Sequence, residues 1–248
     1  PEPAGGRITR AADGELNGEL VDRAKALVQL PPEPARSLEQ RIQDQIDEYT
    51  KLHAAGLTSV RHPGSSIEHY RLLQAMKKRG LLTMRVVFLF RPDADPSGLR
   101  TTVQSWNVGP DEGDEWLKVG GIKLGIDGGF EGGWMRESYA EPWGEGGTYR
   151  GLRTVPADRY TAVVKAINRL GWRVFTHAVG DAAIDQVLDA YEAANAEKSI
   201  VGRRWGIEHG FMARPDHFPR IRKLGLGVSA QNHLYLAEIY LAHRKARP

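Results

Sequence analysis

Residues 171–193 read GWRVFTHAVGDAAIDQVLDAYEA, and they spell out one strand-turn-helix unit. Gly171 stops a helical stripe made by Tyr160, Val163, Val164, Ile167 and Leu170. Trp172 to Thr176 then has the β-branched and aromatic pattern of a buried strand, and it runs straight into His177. Asp181 is placed to cap the next helix, on which Ile184, Val187, Leu188 and Tyr191 share one face. A buried strand followed at once by an amphipathic helix is the repeating unit of a parallel α/β sheet.

The same alternation extends in both directions. Upstream, Ser37-Leu38-Glu39-Gln40 has capping-box spacing, and Leu38, Ile42, Ile46 and Tyr49 line a helix that ends at Gly56. Leu57 to Val60 reads as a strand, Ile67, Tyr70, Leu73 and Met76 as a helix stopped by Gly80, and Met84 to Phe90 as a second strand. Val119 to Ile126 is a third strand, with Lys123 inside it. Downstream, Trp205-Gly206-Ile207 leads as a strand into Glu208-His209, Pro215 opens a short helix closing at Gly225, and Leu226 to Ala230 is a sixth strand. A doubly wound sheet would carry a glycine-rich phosphate loop after its first strand, and Gly64-Ser65-Ser66 matches no such fingerprint. A (β/α) barrel places polar residues at the C-terminal ends of several strands, which is the pattern here. The expectation is an irregular lead-in or insertion over 1–35 and a partial barrel over 36–248.

Composition narrows the function class. The 248 residues are 41% hydrophobic and 26% charged, and 34 basic against 31 acidic residues leave a net charge of +3. No polybasic block marks a nucleic-acid face; Lys77-Lys78-Arg79 before Gly80 is the basic last turn of a helix. There is no cysteine, hence no disulfide framework, no Cys-ligated zinc and no thiol nucleophile. No apolar run approaches the roughly 20 residues that cross a bilayer. Pro1-Glu2-Pro3-Ala4-Gly5-Gly6 has neither Met nor a signal pattern, so a cytoplasmic protein with a non-native start is expected.

Lys123, His177 and His209 lie within or at the ends of strands in three successive βα units, and barrel strand ends converge on one mouth. Neutral imidazole is a good zinc ligand. A lysine ligates only when deprotonated or converted by carbon dioxide to a carbamate, a change that an apolar strand such as Ile122-Lys123-Leu124 favours. Against this stand the plainer readings: a strand lysine that faces solvent and strand-end histidines that are merely satisfied polar groups. His53, His69, His217 and His243 read as solvated, whereas His62 and His233 follow strands and could line a pocket. The glycine-rich stretch from Asp127 to Gly151 carries Trp134, Tyr139, Trp143 and Tyr149 and reads equally as a binding lid or a surface excursion. Asp127, Trp134, Arg136, Gln231 and His233 are the candidate substrate contacts, with Arg136 suited to a carboxylate.

Thr176-His177-Ala178-Val179-Gly180-Asp181-Ala182-Ala183 with Val187-Leu188-Asp189-Ala190-Tyr191-Glu192 resembles a stretch of the amidohydrolase superfamily. The resemblance is closest to amidohydrolase family 3, which includes N-substituted formamide deformylases. Arg204 to Gly210 resembles the family's strand-six motif and Leu224 to Gln231 its strand-seven motif. Ile122-Lys123-Leu124 with Asp127-Gly128-Gly129 resembles strand four, and Ala55 to Val60 strand two; Gly18-Glu19-Leu20 also fits. The resemblance implies a (β/α)8 TIM-like barrel of the metal-dependent hydrolase type, holding one or two divalent ions, usually zinc. His177 and His209 would be ligands, and Lys123 a carbamylated bridging ligand. The implied reaction is hydrolysis of a non-peptide C–N bond, of amide or formamide type, in a small molecule by metal-activated water.

Two features of the family pattern are absent from this sequence, a strand-one His-x-His and a strand-eight Asp, and Asn232 stands where the family has Pro. The expectation is therefore an incomplete barrel of about six strands, strands two to seven, whose open edges favour homo-oligomers and which needs flanking sequence for catalysis. Two other readings remain: a non-catalytic barrel fragment that binds a small molecule, and a Schiff-base enzyme using Lys123.

Overall fold

The computed structural model describes residues 2–3, 6–11, 13–32, 34–92, 95–129, 132–141 and 144–231. Two antiparallel strands, β1 (Gly6–Arg10) and β2 (Leu16–Asp22), and a 3-10 turn (Arg23–Leu27) occupy the segment expected to be irregular. After it come α1 (Leu38–Ala54), β3 (Ser59–Ser65), α2 (Ile67–Lys78), β4 (Arg85–Phe90), α3 (Leu99–Ser105) and β5 (Leu117–Gly125). The remaining elements are α4 (Ala157–Arg169), β6 (Val174–Ala178), α5 (Asp181–Glu197), β7 (Gly206–His209), α6 (His217–Leu224) and β8 (Gly227–Ser229). Strands β3 to β8 follow one another in chain order in one sheet, and helices or helix-bearing loops intervene between them. The expected class is thus found: an α/β fold with the strand succession of a TIM-like barrel, incomplete at six strands. Among the described residues, no helix is long and apolar enough to cross a membrane.

The chain falls into two compact units. One comprises Pro31–Leu124 and Ala166–Val174. Within it β3, β4 and β5 pair in parallel. The capping box at the start of α1 forms as its sequence requires: Gln40 N donates to Ser37 Oγ (3.2 Å) and Ser37 N donates to Gln40 Oε1 (2.8 Å). Tyr70, Leu73 and Met76 bury their side chains, and Tyr70 meets the rings of Phe88 and Phe90. Phe90 stacks on Trp106 with ring centroids 4.4 Å apart, and Trp172 closes the cluster edge-on. Alternate residues of β4, Val86, Phe88 and Phe90, are thus buried and the two phenylalanines join this aromatic layer, whereas Val87 is 39% exposed.

The other unit comprises Pro1–Leu30, Gly125–Lys165 and the chain from Phe175 onward. Here β6, β7 and β8 pair in parallel, with Thr176 opposite Ile207 and His177 opposite Glu208. Thr176 Oγ1 is bonded to the hydroxyls of Tyr160 on α4 (2.7 Å) and Tyr191 on α5 (2.9 Å), so Thr176 faces the helices. By the two-residue period of a strand, His177 faces the opposite side of the sheet, and so does its register partner Glu208. The described residues of the segment after β5 are tied together by main-chain hydrogen bonds. Met135 N bonds Arg150 O (2.7 Å), Tyr139 N bonds Tyr149 O (2.9 Å), Leu152 N bonds Gly132 O (2.8 Å) and Thr154 N bonds Ile126 O (2.8 Å). Met135 and Tyr139 are buried.

Candidate metal centre

Two of the three residues expected to handle metal meet in the second unit. His177 ends β6 and His209 ends β7, and their rings are in edge-to-face contact with centroids 4.5 Å apart. Nε2 of His177 lies 3.0 Å from the carbonyl oxygen of Gly128, an atom that can only accept, so the ring carries its proton there. In the neutral ring Nδ1 is then the lone-pair nitrogen. In His209, Nδ1 lies 2.5 Å from Oε1 of Gln231, which likewise makes Nδ1 the donor and Nε2 the lone-pair nitrogen. The backbone at His209 has φ +73° and Gly210 continues at +63°. A left-handed non-glycine residue at the end of a strand is an outlier that tertiary structure must enforce, and such outliers cluster at functional sites.

Asp127 underlies this pair. Its side chain is 0% exposed, yet it is held by backbone amides. Val179 N donates to both carboxylate oxygens (3.1 Å each), and Gly180 N (2.8 Å) and Trp134 N (3.0 Å) donate to Oδ2. Oδ1 is also 3.5 Å from Nε2 of His177. The loop after β5 thus lies backbone-on-backbone against the turn between β6 and α5. A Cβ at Gly180 would run into the main chain of Trp134, which is why that turn carries glycine.

A model of the amidohydrolase family matches residues 1–247. The chain belongs to the amidohydrolase family. Among curated relatives, Protein LONG AFTER FAR-RED 3 of Arabidopsis thaliana is 28% identical over 247 residues, covering 94% of this chain and 41% of its own length. Putative amidohydrolase YtcJ of Bacillus subtilis (strain 168) is 22% identical over 242 residues, covering 96% and 43%. The chain therefore spans about two fifths of the length of these relatives. An uncharacterized metal-dependent hydrolase from Pyrococcus furiosus superposes with a TM-score of 0.67 at 26% identity, over 85% of this chain and 42% of that one. Another, from Pyrococcus horikoshii OT3, gives 0.68 at 20% identity over 95% and 46%, and shows the shared fold.

The residues present suit the divalent ion that amidohydrolase membership brings into question. Each imidazole of the pair gives its one N–H to an acceptor, Gly128 O or Gln231 Oε1, and so keeps a lone pair at the other nitrogen. That is the second-sphere arrangement of metal-ligating histidines. Lys123 belongs to the other unit. It is buried (6% exposed) and its Nζ donates to Leu124 O at 3.0 Å. Its stem lies over Gly64, where φ is +107° and a Cβ would sit 2.8 Å from Lys123 Cβ, so the bulge in β3 makes room for it.

The other residues named from sequence take different places. Arg136 is not offered to a ligand. Its guanidinium grips Asp185 through Nε (2.6 Å) and Nη2 (2.7 Å), and Nη2 also reaches Asp216 (2.6 Å) and the ring of His217 (2.9 Å). Asp185, Asp216 and His217 are grouped closely enough to suggest a cation site, with donor atoms within 4.8 Å of one another, but the cation they hold is Arg136. Burial raises the Asp185 carboxyl, but its bonds to Arg136 more than offset this and its pKa is lowered; Asp216 is lowered chiefly by the Arg136 hydrogen bond. His217, expected to be solvated, is fully buried in this network, because Arg214 N and Asp185 bond its two nitrogens. His69 is also only part-exposed and meets Gln45 Oε1 at 3.0 Å. Asp181 is the first residue of α5 instead of its cap, and it takes the backbone amides of Arg136 and Ala182 and an ion pair from Arg214. Trp134 lies beneath Arg153, 4.8 Å from guanidinium to ring centre. His233, Asn232 and Trp143 lie outside the described residues. The roles of Gly128 and Gln231 as imidazole acceptors were invisible in the sequence, although the Asp-Gly-Gly run after β5 and the Gln after β8 marked the positions.

Proposed function

We propose that this chain supplies part of the active site of a metal-dependent hydrolase that cleaves a non-peptide C–N bond, of amide or formamide type, in a small molecule. The observation that carries the reading is the pair of imidazoles, each with its tautomer set by an acceptor so that His177 Nδ1 and His209 Nε2 keep their lone pairs. Such nitrogen donors suit zinc among other divalent ions. A divalent ion bound there supplies the Lewis acidity that activates water and polarises the scissile carbonyl.

The residues of the chain have distinct tasks in this reading. His177 and His209 hold the ion, and Gly128 O and Gln231 keep their rings from turning. Lys123 would offer an anionic oxygen donor if its amine took up carbon dioxide with loss of a proton, the role that family resemblance suggests for it. Trp134, packed beneath the Arg153 guanidinium, is the aromatic side chain offered to the substrate in this reading.

Elemental analysis tests the reading. The protein should hold zinc or a similar ion, and His177→Ala and His209→Ala should each lower its metal affinity at least tenfold, since such sites rest on three or four protein ligands. N-acyl and N-formyl amines then separate amide from formamide preference by their hydrolysis rates. Unchanged metal stoichiometry and affinity in both variants would overturn the assignment.

A further inference from the structure

The most heavily bonded carboxylate beside the histidine pair is not a ligand in the reading above, and it rests on that reading to acquire a role. Asp127 is wholly buried, and an ionised carboxylate in such a place is stable only where donors surround it. Its donors come from two separate stretches of chain: Trp134 N in the loop after β5, and Val179 N with Gly180 N in the turn after β6. Both stretches flank His177. Gly128, the next residue after Asp127, provides the carbonyl that accepts from His177 Nε2 at 3.0 Å, and Asp127 Oδ1 stands 3.5 Å from the same nitrogen.

One side chain thus fixes three things. It sets the position of the Gly128 carbonyl, it holds the turn that carries the chain away from His177, and it places negative charge beside the N–H of the ring. The first two orient the imidazole. The third favours the tautomer with its lone pair at Nδ1 and strengthens that nitrogen as a donor to metal. The two stretches cross closely, with Gly133 packed on Val179 and Gly180 against the main chain of Trp134.

We infer that Asp127 is the positioning residue of the metal centre, and that through it Gly128 and the Trp134 backbone are held together with His177. In this role it acts through His177 and not as a ligand itself. Removing its charge should loosen metal binding without abolishing the fold, because the amide-side partners can be partly re-satisfied by an isosteric group.

The test compares Asp127→Asn and Asp127→Ala with Asp216→Asn, which alters the neighbouring Arg136 network but not the histidine pair. Zinc affinity is measured on the full chain by chelator competition, and the visible spectrum of the cobalt(II) form reports ligand geometry. Asp127→Asn should weaken zinc binding about 10- to 100-fold, the range for loss of a second-sphere partner. It should alter the cobalt spectrum, and the amides of Trp134, Val179 and Gly180 should exchange hydrogen faster, while Asp216→Asn leaves the zinc affinity alone. If Asp127→Ala fails to fold, Asp127→Asn carries the test. Equal zinc affinity in Asp127→Asn and the parent, or an equal loss in Asp216→Asn, would overturn the inference. A parent protein that binds no metal through His177 and His209 would instead remove the functional reading on which it rests.

Discussion

At His209 the backbone turns left-handed in a residue that has a Cβ, and the next residue, Gly210, does the same without strain. Such a conformation costs on the order of 1–3 kcal/mol, so the fold around β7 must enforce it. The outcome is a ring set against His177 instead of one following the strand's alternation. A different histidine lends itself to a pH experiment. His62, on β3, stacks on Phe88 and meets His69 edge-on, and its Nδ1 is buried with no hydrogen-bond partner. Burial, and then the neighbouring His69, push its pKa down to about 4. His69 is lowered too, by burial and then by Arg41. A depressed histidine stays neutral in the fold while the unfolded chain takes up a proton below about 6.5. Stability conferred by neutral His62 is therefore intact above pH 6.5 and declines as pH falls toward 4. Urea melts at a series of pH values should show that decline, and His62→Phe should reduce its slope by up to one proton between pH 6 and 4.5. An unchanged slope would place the acid sensitivity elsewhere.

Among the elements, the turn between β6 and α5 shows what local sequence could and could not convey. The strand, the helix and His177 at the junction were legible because hydrophobic period and turn residues both mark them. So were all six parallel strands, the capping box at Ser37 and the stop at Gly80. Gly180 looked like ordinary loop chemistry, yet its reason is tertiary: the main chain of Trp134, 46 residues upstream, fills the space a side chain would need. Its φ is −75°, so alanine is conformationally acceptable and only the collision counts. Gly180→Ala should therefore destabilise by about 1–3 kcal/mol, the usual range for overpacking, read as a lowered urea midpoint with unchanged m-value. A neutral substitution would mean that the two main chains do not cross this closely. Arg136 illustrates the converse. An arginine in an aromatic loop suggested a substrate carboxylate, but the carboxylates that recruit it are Asp185 and Asp216, on an adjacent helix and at the foot of another. No local pattern in the sequence pairs residues 49 and 80 positions apart. The strands of the first 35 residues escaped notice for a similar reason. The pairing of Gly6 with Asp22 joins two short segments, GRITR and LNGELVD, whose apolar residues do not alternate strictly.

On the scale of the molecule, six strands in chain order and a family match over nearly the whole sequence place the chain among the amidohydrolases. The residues expected to handle metal are divided between its two units, Lys123 in one and His177 with His209 in the other. The histidine pair is the part whose chemistry is already set, since both tautomers follow from the acceptors Gly128 O and Gln231 Oε1. Proton–nitrogen correlation spectra of the imidazoles, recorded with and without zinc, read this most directly. Without metal, His177 should carry its proton on Nε2 and His209 on Nδ1. On addition of zinc, the coordination shift should fall on Nδ1 of His177 and Nε2 of His209. The opposite tautomers, or a zinc-induced shift at neither ring, would contradict the assignment of this pair as a metal centre.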